Sequence, residues 1–154
     1  MPLCRLVYVS LSRDPQADFE SGLSALLRQA RRRNLEAGVT GALVSVGPAF
    51  VQAIEGRRDI VTTLFNRIYR DPRHSHMEII DCSTIRTREF GDWTLAYHRV
   101  DPHDEAVVRR FGRNGMIDPL ALTPEATRLF LLAMTRQSER AAADRAGFSM
   151  PALA

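Results

Sequence analysis

The stretch from Val39 to Gly56, VTGALVSVGPAFVQAIEG, constrains the fold more tightly than any other part of this chain. It reads as two apolar strands, about Thr40 to Val46 and Ala49 to Ile54, folded back on a Gly-Pro turn. Strand side chains alternate faces, so Phe50, Gln52 and Ile54 point the same way and one amide lies among apolar groups. Buried polar groups are hydrogen-bonded, so Gln52 requires partners.

The other elements follow from periodicity. Leu3 to Ser10 is β-branched and apolar, a first strand with Leu6, Tyr8 and Ser10 on one face and Arg5, Val7 and Val9 on the other. A Ser/Asp/Pro turn spans Ser12 to Gln16, and Asp18 stands as N-cap of a helix reaching about Asn34. Its apolar stripe is Leu23, Leu26, Leu27 and Ala30, and four residues further on the same stripe ends in the polar Asn34. Gly38 closes the helix. After Gly56, with Asp59 as cap, a second helix buries Ile60, Val61, Leu64, Phe65 and Ile68, and it stops near Arg70 because Pro72 disfavours helical geometry at Asp71. Met77 to Ser83 and Trp93 to Val100 supply two more strands.

The order β-α-β-β-α-β-β predicts a ferredoxin-like α+β fold, a five-stranded mixed sheet with both helices on one face. The other face needs a cover. Asp104 to Phe111 reads as a short helix, and a longer one begins with Thr123 as cap and Pro124 at the first position, running to about Ala146. Its stripe of Leu129, Phe130, Ala133 and Met134 suits the open sheet face or a second subunit. The expected division is residues 1–100 as one domain and 101–154 as a helical extension that caps the sheet or joins subunits.

Composition narrows the function class. A chain of 154 residues, 45% hydrophobic and 25% charged, folds as an ordinary globular domain. Its net charge of +3 rests on arginine, with Arg31, Arg32 and Arg33 in a row, and permits an anionic partner without choosing one. Cys4 and Cys82 have neither CxxC nor zinc spacing and read as thiols in a reducing compartment. The first residues lack the basic start and small-residue cleavage site of a signal peptide, and no segment approaches the ~20 apolar residues of a membrane span. The expectation is a cytoplasmic protein. Asp71, His74 and His76 are too loosely spaced for a metal site, and no Ser/His/Asp set or phosphate-cradling Gly loop is present.

Three residues share one property. Tyr8 on the first strand, Asn34 at the helix end and Gln52 on the third strand are hydrogen-bonding groups on faces that otherwise read as apolar. Singly, each has a bland reading: a core phenol, a helix-end cap, an amide bonded to backbone. Together they line a slot between helices and sheet suited to a flat, mostly apolar ligand with polar edges.

Leu6-Val-Tyr8-Val-Ser10, Ala30-Arg-Arg-Arg-Asn34, Gly38-Val-Thr-Gly41-Ala-Leu43, Phe50-Val-Gln52-Ala-Ile-Glu55-Gly56, Asp71-Pro-Arg73-His74 and Arg88-Glu-Phe90-Gly-Asp-Trp93 occur in that order. On these motifs the region from Leu6 to Tyr97 resembles the BLUF family, blue-light sensors that bind flavin. The resemblance implies a photoreceptor and not an enzyme, with FAD, or FMN, held non-covalently. It matches Tyr8 to the tyrosine that gives an electron and then a proton to the excited flavin. Gln52 is matched to the amide that rearranges between phenol and ring edge, and Asn34 to the residue holding the imide edge. Arg31 to Arg33, Asp71, Arg73 and His74 are implied as candidates at the ring edge or phosphates, with Phe50 and Ile54 packing the ring. Trp93 and Leu95 fall in the switch region; Leu95 stands where methionine is common, and Ser45 where some members carry an aromatic ring. The tail holds no recognisable effector, so output is expected through a separate protein, with self-association through the Thr123 to Ala146 helix.

Two other readings share the topology. A basic module binding nucleic acid needs exposed strand aromatics, for which only Trp93 and Tyr97 offer themselves, and no RNP-like pattern is present. An acylphosphatase-like hydrolase needs an anion-cradling loop after the first strand, which Leu11-Ser-Arg-Asp-Pro does not supply.

Overall fold

The computed structural model describes the backbone of residues 2–13 and 19–148, with side chains from 2–13 and 22–142. The strands are β1 (Leu3–Ser12), β2 (Thr40–Val46), β3 (Ala49–Arg57), β4 (His74–Ile85) and β5 (Ala96–Val100). The helices are α1 (Phe19–Ala37), α2 (Arg58–Tyr69), α3 (Glu105–Phe111) and α4 (Pro124–Phe148). The five strands form one mixed sheet in the order β4-β1-β3-β2-β5, antiparallel throughout except for β2 and β5, which run parallel. This is the ferredoxin-like α+β arrangement with one added strand.

Alternation gives the sheet two differently used faces. Leu6, Tyr8 and Ile54 pack toward α2, where Val61, Leu64, Phe65 and Ile68 meet them. On the opposite face Val7, Val9, Val44, Val51 and Ala53 are sealed by Phe130, Leu131 and Met134 of α4. The helix expected to choose between this sheet and a second subunit lies on its own sheet. Its buried stripe runs through Thr127, Phe130, Leu131, Met134 and Thr135, the spacing of one helix face, so Leu129 falls outside it and is 39% exposed.

Several boundaries move. β3 continues to Arg57, which makes Glu55 and Gly56 strand residues. β4 begins at His74, earlier than its weakly alternating, polar edge sequence suggests. Asp59 does not cap α2: the cap position is Arg57, and Asp59 lies in the first turn, accepting from the Arg57 guanidinium at 2.8 and 3.2 Å. The proposed cap Asp18 and most of the Ser12 to Gln16 turn fall outside the described residues.

Two glycines set the hairpin. Gly38 takes φ +67°, the left-handed conformation that lets α1 end and Val39 return an N–H to the Asn34 carbonyl at 2.8 Å. At Gly41 the strands approach so closely that a Cβ would lie 2.1 Å from the Ala53 carbonyl oxygen. Any side chain there would push β2 off β3.

Candidate functional site

Register brings the predicted trio together. Tyr8 of β1 and Leu43 of β2 both pair with Gln52 of β3, placing phenol and amide side by side on the helix-facing surface. The Tyr8 hydroxyl donates to Gln52 Oε1, so the buried amide has its partner. Both residues are nearly closed to solvent, at 3% and 8% exposure. Burial pushes the Tyr8 phenol well above its ordinary pKa, with the Asp71 charge adding to the effect, so the hydroxyl keeps its proton.

Above this pair α1 stands away from the sheet. Of its apolar stripe and terminal Asn34, only Leu27 and Asn34 are buried, and Leu26 is 39% exposed. The space beneath is a cavity of about 300 Å³ lined by Tyr8, Gln52, Asn34, Leu43, Phe50 and Leu95, with Leu23, Leu26, Leu27 and Ala30 forming the α1 wall. Asn34 Nδ2 donates to the Thr94 carbonyl at 2.7 Å, tying the helix end to the segment before β5. The rim is polar: Arg33, Arg67, Asp71, Arg73 and His74 surround the cavity. Arg73 folds onto Asp71, with Nε to Oδ1 at 2.9 Å, and this bond holds the Asp71 carboxyl down at about 2. His74 bridges Ser10 Oγ at 3.0 Å and the Ile68 carbonyl at 2.6 Å. A carbonyl only accepts, so His74 Nε2 is the donor there.

Not every expected residue reaches the cavity. Ile54 is 1% exposed and packs with Leu6, Val39 and Val61, buried beside the cavity wall instead of lining it. Trp93 and Leu95 precede β5: the Trp93 carbonyl accepts from the Gly41 N–H of β2 at 3.0 Å, while the carbonyls of Thr94 and Leu95 accept from Asn34 and from Arg31 Nε at 2.8 Å. Leu95 faces the cavity; Trp93 packs on Phe90 at 6.5 Å between centroids and its indole N–H donates to Glu139 of α4. Of the three consecutive arginines only Arg33 lines the cavity: Arg31 holds Leu95 and Arg32 pairs with Glu36 on the surface. Ser45 meets the Tyr97 hydroxyl at 2.9 Å. Among the described residues no group of three His, Cys, Asp or Glu could hold a metal ion.

Sequence reasoning passed over Gln29, Leu43 and Arg67, which also line the cavity. Gln29 and Arg33 are four residues apart on one helix edge, a spacing that could have signalled a shared rim. It also undervalued Glu55. That carboxylate, wholly buried on the α4 face, accepts from Arg5 Nε and from the N–H groups of Glu89 and Phe90, each at 3.0 Å. Arg5 reaches on to Glu89 at 3.2 Å, and Glu89 to Arg128 of α4 at 2.7 Å. Arg88 bonds Thr40 Oγ1 and the carbonyls of Gly38 and Glu55.

Residues 3–96 match the profile of the BLUF family, described as sensors of blue-light using FAD. The chain belongs to the BLUF family. BLUF domains are blue-light sensors with a flavin chromophore, and the cavity fits one: apolar walls, three hydrogen-bonding heads at the floor and cationic side chains at the rim. Among curated relatives, photoactivated adenylate cyclase subunit beta of Euglena gracilis is 37% identical over 94 residues, 60% of this chain and 11% of that protein. The chain thus spans about a tenth of the length of the curated relatives it matches. Among solved structures, BlsA in its photo-activated state superposes with a TM-score of 0.76 at 26% identity, covering 86% of this chain and 94% of that one. BlrB, a BLUF protein in its dark state, gives 0.70 at 32% identity, covering 89% and 97%. Among the described residues no helix is long and apolar enough to cross a membrane.

Proposed function

We propose that this BLUF domain signals by moving a proton and a hydrogen-bond pattern between Tyr8 and Gln52. The observation that carries the reading is the Tyr8 hydroxyl donating to Gln52 Oε1 on the floor of the cavity. When bound, the flavin supplies blue-light absorption and, once excited, an acceptor for one electron and one proton. Tyr8 is the donor of both: its ring is oxidisable, and its one mobile proton already points at the amide. Gln52 has a donor and an acceptor on one head, so rotation or tautomerisation exchanges what it offers to the phenol and to the cavity. When Tyr8 regains its electron and proton, the amide remains in the new pattern.

Asn34 holds the imide edge through its amide head while its Nδ2 stays tied to Thr94. Phe50, Leu43 and the α1 leucines pack the ring, with Ile54 supporting them from the core. Arg33, Arg73 and His74 contact the ring edge or the phosphates, Asp71 orienting Arg73. FAD is the chromophore; FMN would lack only the contacts beyond the first phosphate. Residues 1–100 carry this chemistry, and residues 101–154 cap the sheet and pass the change on. Leu95 and Trp93 are the connection, one facing the cavity and the other bonded to α4. Output is intermolecular, through self-association and a separate protein, in a reducing cytoplasm where both cysteines stay free.

Absorption spectra test the reading. Protein loaded with FAD should show a reversible red shift under blue light, and Gln52→Leu should abolish the shift while still binding flavin. A full shift in Gln52→Leu would overturn it.

A further inference from the structure

Three aromatic rings connect the floor of the cavity to the surface. The Tyr8 ring stands edge-on to Phe65 with 5.6 Å between centroids, and Phe65 lies tilted against Tyr69 at 6.2 Å. Phe65 and Tyr69 are four residues apart on α2, the spacing that stacks side chains on one helix face. The two ends differ: Tyr8 is 3% exposed and Tyr69 is 63% exposed. A tyrosine so open is not held there by core packing. Neither Phe65 nor Tyr69 lines the cavity, so they take no part in forming the chromophore pocket.

Contacting rings couple electronically far better than saturated chain, and a phenol in water can release its proton as it is oxidised. We propose that Phe65 and Tyr69 form an electron route from the surface to Tyr8, giving this sensor a second, light-driven activity: one-electron oxidation of small phenolic reductants in solution. This rests on Tyr8 being the light-driven electron donor.

The balance is simple. In a fraction of excitations oxidised Tyr8 is refilled from Tyr69 across Phe65, not by return of its own electron. Tyr8 regains an electron from Tyr69 and takes back its own proton by way of Gln52; Tyr69 loses an electron and gives its phenolic proton to water. An external phenol then gives a hydrogen atom to the Tyr69 oxygen, restoring Tyr69 and becoming a phenoxyl radical. With the chromophore bound, the electron that left Tyr8 would pass to dioxygen, the terminal oxidant, which leaves as superoxide. A phenoxyl radical formed in one turnover couples with the Tyr69 radical of the next, the two unpaired electrons forming one bond between the rings.

Both expectations can be read with biotin-phenol as the probe. FAD-loaded protein is illuminated with blue light in air, digested, and its peptides are sequenced by mass spectrometry. Biotin-phenol should couple to Tyr69 in the light and not in the dark, with Tyr97 unlabelled. Phe65→Leu, which keeps the Tyr69 phenol, should lose the adduct to the dark level while keeping the reversible red shift, which separates this route from the signalling chemistry; a Tyr69 adduct undiminished in Phe65→Leu would overturn the route. Tyr8→Phe should lose both. Absence of light-dependent labelling at Tyr69 in protein that still shows the red shift would overturn the proposal, as would labelling that persists in Tyr8→Phe, the mark of a diffusible oxidant. A red shift retained in Tyr8→Phe would instead overturn the role given to Tyr8 in signalling.

Discussion

At the scale of single residues, the Tyr8 and Gln52 pair satisfies both buried heads at once. Tyr8→Phe leaves the Gln52 oxygen without that donor, a loss of about 1–3 kcal/mol of stability for an unsatisfied buried group. The phenol also makes stability depend on pH. Its folded pKa lies above the ordinary 10.0 because of burial, so the folded state holds a proton that the unfolded chain releases. That contribution is whole below 10.0 and is lost as the pH rises from there through the folded value. Urea midpoints measured upward from about pH 9 should fall in the wild type and fall less in Tyr8→Phe. Asp71 works in the opposite sense: the hydrogen bond from Arg73 lowers its pKa from 3.8 to about 2. Its contribution is present above 3.8 and disappears as the pH drops through about 2, so Arg73→Ala should flatten the acid limb of the same titration.

At the scale of elements, the segment from Arg88 to Leu95 is held by four elements, β2 among them through the Gly41 N–H on the Trp93 carbonyl and Thr40 Oγ1 accepting from Arg88. Glu55 of β3 takes two of its N–H groups, Arg31 and Asn34 of α1 take two of its carbonyls, and Arg128 and Glu139 of α4 hold Glu89 and the Trp93 indole. Arg5 and Glu55 form the buried centre of that network, with side chains 8% and 0% exposed. Removing one partner of a buried pair strands the other's charge, so Arg5→Met should lose about 3–5 kcal/mol in denaturant unfolding. Trp93 is the chain's single tryptophan, which makes its emission a direct reading of this segment. Blue light should change that emission reversibly in the loaded protein, and Glu139→Ala should diminish the change. An emission blind to light would remove Trp93 from the output path.

At the scale of the molecule, α4 closes the second core. Cutting the chain after Val100 would uncover Val44, Val51 and Phe90, all 0% exposed in the intact fold. The truncated protein should lose its cooperative thermal transition or aggregate in sedimentation velocity; an unchanged monomer of unchanged stability would show that α4 is dispensable. Much of this architecture is legible in the sequence. Period-two and period-3.6 patterns are local, and so are glycine requirements such as the +67° φ of Gly38, so the order of elements and the shared face of Phe50, Gln52 and Ile54 follow from neighbouring residues alone. The sequence by itself therefore determined the ferredoxin-like sheet and the meeting of Tyr8 with Gln52, because strand order and alternation leave them one common face. Only the tertiary structure decided the rest. How far α1 stands off the sheet, that Ile54 is sealed behind the cavity wall, that Trp93 turns to Glu139, and that Glu55 gathers Arg5 and two loop N–H groups all depend on elements far apart in the chain. Such distances are fixed by packing and by the need to satisfy buried polar groups, and no periodicity within one segment encodes them.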